Sequence, residues 1–221
     1  MKYRLREGLH WCQCAGRIVF LDLLEDRYSC LSQGASAAFL ALASGRGGPE
    51  EGERLRSLIL RGLLLEDRAE GSLDRPVRVP PVSGDFVHEP YPRPSGQDLL
   101  RAVTCQVGWG LLVRARPLAT IVAQLEGRPR HRSSDPAAIG RIERAISAFA
   151  AVSGLFPPQD RCLVRALALH AACRRNGLRP SLVFAVRMNP FRAHCWVQLG
   201  TKVLIGDFEQ ARLFTPIAAF R

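Results

Sequence analysis

The chain has 221 residues, of which 47% are apolar and 23% charged, a balance typical of a globular protein rather than a disordered or fibrous one. Its formal net charge of +11 is unevenly placed: residues 1–70 carry ten basic and ten acidic side chains, residues 71–97 three of each, and residues 98–221 eighteen basic against seven acidic. This asymmetry argues against uniform coating of nucleic acid and predicts two units with different roles.

The sequence does not have the features of a membrane protein, a secreted protein or a metal-binding protein. No apolar run approaches the roughly 18 residues of a membrane span, and the basic start MKYRLREGLHW lacks the apolar segment of a secretory signal. Seven cysteines without an export signal predict reduced thiols in a cytoplasmic protein. Cys12 and Cys14 alternate along a predicted strand and no CxxC pair occurs, so we expect no metal site.

The first seventy residues predict short strands followed by helices. Strands are expected at 9–14, 17–23 and 27–31, where β-forming residues are bounded by turn residues. An Ala/Leu helix follows, and Pro49 opens a second helix with acidic residues in its first turn. This is a winged-helix-like layout for residues 1–70. The six prolines of residues 71–97 then predict a linker.

Residues 98–221 predict an α+β domain in which helices feed an antiparallel sheet. Four helices are expected, the last over 160–176, followed by strands at 181–187, 194–199 and 202–205. The whole chain is therefore expected to be α+β, with a small domain, a linker and a larger domain.

A nucleophile, a base and an orienting carboxylate are predicted where the last helix meets these strands. Asp160 is a natural N-cap and places Cys162 in the first turn, where the helix dipole stabilises a thiolate. His194 begins one strand and Asp207 follows the next, and adjacent antiparallel strands bring residues at one edge together. Taken singly, Cys162 is equally well a buried core thiol, and His194 and Asp207 are more often structural.

Three runs, CLVRALALHAACRRNGL, LVFAVRMNPFRAHCWVQ and VLIGD, resemble the B-type maturation proteins of lasso peptides. Those are transglutaminase-like, papain-like cysteine proteases that remove the leader from a ribosomally made precursor. The resemblance is close over about residues 155–210 and implies that Cys162, His194 and Asp207 form a catalytic Cys-His-Asp triad. This chain has Cys195 where the family often has Ala, and Gln198 where Glu is common.

The run GRIVFLDLLEDRYSCLSQGASAAFLALASG resembles the small peptide-recognition domain of ribosomal-peptide pathways. In that family the leader adds as a strand beside the third strand and packs against the last helix. The resemblance implies a set of leader-binding residues: Arg27, Tyr28, Ser29, Cys30, Leu31, Leu55, Leu58 and Ile59. The alternative is that Tyr28 and Leu31 are only core residues.

Together the two resemblances imply a leader peptidase of lasso peptide maturation. Its partners would be the leader of the precursor and an asparagine-synthetase-like cyclase that uses the freed amine, with an arginine-rich surface meeting acidic groups. No cofactor is expected; the family implies ATP only together with the cyclase, and the sequence has no glycine-rich nucleotide loop. Two alternatives stay open: a transglutaminase-type acyl transferase, and a non-catalytic winged-helix protein that binds peptide or DNA. The neutral charge of residues 1–70 argues against DNA.

Overall fold

A computed structural model describes residues 2–67, 73, 76–86, 92–125, 136–156 and 161–221. The strands in these ranges are β1 Lys2–Leu5, β2 Leu9–Cys14, β3 Arg17–Asp22, β4 Arg27–Cys30, β5 Leu64–Asp67, β6 Gly84–Asp85, β7 Ser181–Arg187, β8 Arg192–Leu199, β9 Lys202–Ile205 and β10 Thr215–Phe220. The helices are α1 Gln33–Ala43, α2 Pro49–Arg54, α3 Arg56–Leu60, α4 Gly96–Ala115, α5 Leu118–Leu125, α6 Pro136–Ala151, α7 Arg161–Arg175 and α8 Phe208–Ala211.

The strands form three sheets. β2, β3 and β4 make an antiparallel sheet in chain order, and β1 pairs with β5. The third sheet has the order β10-β7-β8-β9-β6, and its pairs are antiparallel except for the parallel pair β6–β9. This mixture of helices and sheets confirms the expected α+β class. The winged-helix assignment of residues 1–70 stays a prediction.

The N-terminal strands begin where the sequence predicts, and two of them end one residue early. β1 and β5 were not predicted, because two four-residue strands far apart in sequence are defined by pairing with each other. The single helix expected after Pro49 is two helices, α2 and α3, since Leu55 leaves the helical region at φ −102° and ψ 7°.

The C-terminal helices follow the predicted pattern, and α4 shows why one of them starts where it does. Ser95 accepts a hydrogen bond from the Asp98 amide, and the Asp98 carboxylate accepts one from the Ser95 amide, a reciprocal cap. This cap lowers the pKa of Asp98. Asp160, the expected cap of α7, lies outside the described residues. The strands β6 and β10 and the helix α8 were not predicted.

Part of the predicted linker packs on the C-terminal sheet. β6 comes from this segment and pairs with β9. The Ser83 hydroxyl lies 2.9 Å from the Thr201 hydroxyl, and the Pro80 carbonyl accepts a hydrogen bond of 3.0 Å from Gln198 Nε2. Residues 79–86 therefore extend the larger sheet in addition to connecting the two parts.

One face of the three-stranded sheet forms the N-terminal core. Trp11, Ile18 and Phe20 are buried there beneath α1, with the Phe20 and Phe39 rings 5.3 Å apart edge to face. β1, β5 and the buried side of α3 complete this core. Burial of these large apolar side chains stabilises the N-terminal part.

The opposite face of the same sheet packs on the C-terminal part. Cys12, Val19 and Leu21 belong to one apolar core with residues of α5, α6, α7, β7 and β10. The Ala119 amide donates to the Leu23 carbonyl at 3.1 Å, which ties the end of β3 to α5. The two parts of the chain thus share a hydrophobic core, although their sequences differ in charge.

Candidate active site

The predicted nucleophile lies at the start of the central helix. Cys162 is the second residue of α7, whose first-turn amides have no partners within the helix. The side chain is partly buried and packs against the core shared by the two parts of the chain. α7 lies on β8, the strand that carries His194. The fold therefore brings the helix-start cysteine to the strand with the predicted base.

His194 is held in an aromatic setting. It pairs with Ala185 across the β7–β8 ladder, and its ring centroid lies 5.2 Å from that of Phe214 and 5.9 Å from that of Trp196. The Arg187 guanidinium lies 5.4 Å from the Phe214 ring, on which it can stack as a cation. These contacts fix the imidazole in one region of space, as a general base requires.

The thiol of Cys162 is strongly acidic in this setting. A hydrogen bond with the Cys195 thiol is the largest influence that lowers its pKa, and the His194 ring adds a hydrogen bond and its charge. Against the opposing effect of burial, these bring the pKa of Cys162 to about 4. The pKa of Cys195, which is almost fully buried, is raised well above its usual value by the same hydrogen bond. Cys162 is thus a thiolate at neutral pH and Cys195 a neutral donor.

Asp207 lies at the end of β9 and caps the short helix α8. Its carboxylate accepts hydrogen bonds from the Glu209 amide at 2.9 Å and the Gln210 amide at 3.4 Å. Among the described residues no hydrogen bond joins Asp207 to His194, and the buried Nε2 of His194 has no partner.

The glycine before Asp207 is required by the path of the backbone. Gly206 has φ +131°, and a Cβ there would lie 2.9 Å from Trp196 Cβ. Only glycine allows the backbone to pass this close to Trp196 on its way to Asp207.

Gln198 organises the strand behind His194. Its Oε1 accepts a hydrogen bond of 2.8 Å from the Trp196 indole, and its Nε2 donates to the carbonyls of Pro80 and Gly200. A carboxylate has no hydrogen to donate to these two carbonyls, so the amide suits this position better than the glutamate common in the lasso family.

The family of the C-terminal part follows from comparison with known proteins. A model described as the transglutaminase-like superfamily matches residues 103–219, more than half of the chain. This chain belongs to the transglutaminase-like superfamily. No curated protein and no solved structure matches it. Members of this superfamily are typically cysteine enzymes, which supports an activity of the cysteine protease or acyltransferase type.

The predicted leader-binding residues of this superfamily member divide into three groups. Leu55 and Leu58 are 0% and 4% exposed and belong to the N-terminal core. Leu31 and Ile59 pack at the edge of that core and are partly exposed. The remaining four, all on β4, are Arg27, Tyr28, Ser29 and Cys30.

The edge of β4 is open in the described part of the chain, where β4 pairs with β3 alone. The Leu31 amide donates to the Ile18 carbonyl, so odd-numbered residues of β4 make the ladder bonds with β3. The amides and carbonyls of Tyr28 and Cys30 therefore point outward. This edge is available for one added strand.

Three residues of the site were not predicted from the sequence: Cys195 as a partner of the nucleophile, Phe214 beside the base, and Tyr28 near both cysteines. Cys195 carried a signal, since it departs from the family's usual alanine. Phe214 is 20 residues from His194 in the sequence and Tyr28 is 134 residues from Cys162, so only the folded chain reveals them.

The described residues hold no group of three or more metal-ligating side chains. None of the helices in the described ranges combines the length and apolar character needed to cross a bilayer.

His170 is a second histidine of the C-terminal part, and it lies outside the site. It is fully buried in α7, and burial and the charge of Arg174 lower its pKa to about 4.

Proposed function

We propose that this chain is the leader peptidase of lasso peptide maturation. The single observation that carries the proposal is the position of Cys162 at the start of α7, where a hydrogen bond with His194 helps to lower the pKa of its thiol. This pairing is the nucleophile and base of a cysteine protease, on a domain whose superfamily contains such enzymes. The more specific assignment to lasso peptide maturation rests on a second argument. The motifs around Cys162, His194 and Asp207 resemble those of the B-type maturation proteins.

The reaction runs through an acyl-enzyme. The Cys162 thiolate attacks the carbonyl carbon of the leader–core peptide bond, and the oxyanion that forms accepts a hydrogen bond from the Cys162 amide. Protonated His194 gives its proton to the leaving amine as the C–N bond breaks. His194 then takes a proton from water, whose oxygen attacks the thioester and releases the leader as a carboxylate. The core peptide leaves with a free N-terminal amine.

Asp207 is proposed as the orienting residue of His194. The buried, unpartnered Nε2 of His194 is the atom that a third residue would satisfy, since a buried polar group without a partner costs free energy. Asp207 follows the strand beside β8, and its present bonds are to the exposed amides of α8. In the proposed mechanism the Asp207 carboxylate leaves these amides and accepts a hydrogen bond from the imidazole.

The leader is proposed to bind as a strand on β4. The outward amides and carbonyls of Tyr28 and Cys30 supply the main-chain hydrogen bonds of strand addition. Ile59 and the exposed Leu60 of α3 offer apolar contacts beyond the core residues Leu55 and Leu58. The freed core then passes to an asparagine-synthetase-like cyclase, the proposed partner that acts with ATP in the cytoplasm.

Incubation of the purified chain with a lasso precursor, followed by mass spectrometry, tests the proposal. We expect a free leader and a free core from the wild type, and an intact precursor that still binds from Cys162→Ala. Cys105→Ala is the matched control, because Cys105 is another partly buried free thiol on a different helix.

Two outcomes would contradict the proposal in different ways. Cleavage by Cys162→Ala at the wild-type rate would remove the nucleophile from the mechanism. Acyl transfer instead of hydrolysis would appear as a leader joined to an added amine, and would establish a transglutaminase-type activity at the same site.

A further inference from the structure

Tyr28 points toward the C-terminal part of the molecule. It lies opposite Leu21 in the β3–β4 ladder, and directly opposed residues share a face of the sheet. Leu21 belongs to the core shared with the C-terminal part, and Tyr28 packs against that same core. The neighbouring residues Arg27 and Ser29 alternate to the other face. A residue of the proposed leader-docking strand therefore presents its side chain to the enzyme domain.

The Tyr28 ring meets the hairpin that carries His194. Its centroid lies 5.6 Å from that of Phe191, in the turn between β7 and β8. Phe191 is half exposed and precedes His194 by three residues. The two rings thus stand beside the entrance to the strand that bears the base.

The nucleophile also acts on Tyr28. Burial is the main reason why the pKa of Tyr28 is raised, and the negative charge of Cys162 adds to it. Cys162 packs at the edge of the same apolar core as Tyr28. The phenol stays protonated.

From the contact of its ring with Phe191 and its place on the apolar core that Cys162 also borders, we infer that Tyr28 is a substrate-positioning residue of the cleavage site. Its ring forms a wall contributed by the N-terminal sheet, against which the scissile peptide is held. The inference rests on the proposed leader peptidase function and adds to it a residue outside the superfamily domain. Tyr28 also links leader binding to cleavage. Its backbone faces the docked leader, and its side chain faces the enzyme domain.

Steady-state cleavage of the precursor by Tyr28→Ala and Tyr28→Phe tests the inference. Misplacing a scissile bond costs rate more than binding, so we expect Tyr28→Ala to lower kcat at least tenfold with KM and the Kd of an isolated leader peptide within threefold. Tyr28→Phe keeps the wall and should stay within threefold of the wild type. His10→Ala is the matched control, because the His10 ring makes a similar contact, 5.5 Å from Phe220, between the same two parts of the chain.

A second readout needs no precursor. Iodoacetamide is small enough to reach Cys162 without a wall, whereas a peptidyl chloromethyl ketone must be held in place. We expect Tyr28→Ala to slow alkylation by the peptidyl reagent at least fivefold and to leave the iodoacetamide rate and its pH profile unchanged. Tyr28→Leu, which keeps apolar volume without the aromatic ring, replaces Tyr28→Ala if that variant is unfolded by circular dichroism.

Three results would overturn the inference. These are a kcat of Tyr28→Ala within twofold of the wild type, a loss of leader affinity equal to the loss of activity, and an equal slowing of both alkylating reagents. A wild-type chain that leaves the precursor intact would overturn the proposed function instead. In that case the two alkylation rates still decide whether Tyr28 positions a peptide at Cys162.

Discussion

Two cysteines with opposite acidities lie side by side at the start of α7. The hydrogen bond from Cys195 stabilises the charge on Cys162, and the shared proton stays with Cys195. A neutral thiol donor is unusual support for a nucleophile, because thiols donate weakly in comparison with imidazolium or backbone amides. His194 and the backbone amide of Cys195 supply the remaining stabilisation. The state of the nucleophile therefore depends on several neighbours at once.

The pH dependence of Cys162 alkylation follows from its lowered pKa of about 4. Only the thiolate reacts, so the rate at Cys162 should be nearly constant from pH 8 to pH 5 and fall as pH drops through about 4. His194→Ala removes a hydrogen bond and a positive charge, which should raise the pKa and move the fall to higher pH. Iodoacetamide labelling followed by mass spectrometry of the Cys162 peptide measures both, with the Cys105 peptide as internal control.

A profile for Cys162 that rises only above pH 7, as for an ordinary thiol, would show that the hydrogen bonds around it do not hold the thiolate. An unchanged profile in His194→Ala would show that the imidazole is not part of the pair.

The short strand β4 contributes both to the open edge of its sheet and to the core shared with the C-terminal part. Its four residues pair with β3 on one side and leave outward backbone groups on the other. The side chains of Tyr28 and Cys30 pack against the shared core. The Arg17 guanidinium donates to the Leu31 carbonyl at 2.9 Å on the side that faces β3, so this bond leaves the outward edge of β4 open.

Replacing Cys30 by proline tests strand addition, because proline removes the outward amide of this residue without breaking the ladder with β3. We expect Cys30→Pro to weaken leader binding about three- to tenfold, the equivalent of one net hydrogen bond. Cys30→Ala keeps the amide and is the control. Fluorescence anisotropy of a labelled leader measures both, and equal affinities for the two variants would place the leader elsewhere.

The elements that the sequence predicts well are those with a local signal. Periodic apolar residues and cap or breaker residues define α4 to α7, and alternation defines β2, β3, β7 and β9. β10 lacks such a signal because Thr215–Phe220 contains Pro216 and two alanines, and it becomes a strand by pairing with β7. β6 is two residues long and exists only through β9.

The candidate site divides in the same way. Cys162, His194 and Asp207 are found from helix-start and strand-end positions because their neighbours in sequence set their geometry. Tyr28 and Cys195 gain their roles from contacts between elements, to which no spacing points. The bond between Asp207 and His194 is not formed in the structure, so their relation stays a prediction.

At the scale of the molecule, one group of positive charges lies where α4, α6 and the end of α7 meet. Four arginines line a cleft of about 460 Å³ there, together with Ala172 of α7: Arg101, Arg141, Arg144 and Arg175. Ala172 is ten residues from Cys162, roughly 15 Å along the helix axis. These four arginines therefore lie away from the nucleophile, where the Cys195 and His194 hydrogen bonds act. The expected contact with acidic partners stays a prediction.

The shared core predicts that the two parts unfold together. Leu21 is 1% exposed within it, so Leu21→Ala should lower the free energy of unfolding by about 2–5 kcal/mol and shift one cooperative transition as a whole. Leu24→Ala is the control, since Leu24 is 51% exposed and should change stability by less than about 0.5 kcal/mol. Urea unfolding followed by tryptophan fluorescence and circular dichroism measures this. Two separate transitions, with only one shifted by Leu21→Ala, would contradict a shared core.

The double-sided burial of the N-terminal sheet also limits how this protein can be re-engineered. A recognition module transplanted from another pathway would bring its own apolar residues to the positions of Cys12, Val19 and Leu21. Unless these match the surface formed by α5, α7 and β10, the graft leaves voids or overlaps in the core of the enzyme. If the proposed leader binding holds, a change in the leader that is accepted is therefore better made on the outward edge of β4 than by exchanging residues 1–70.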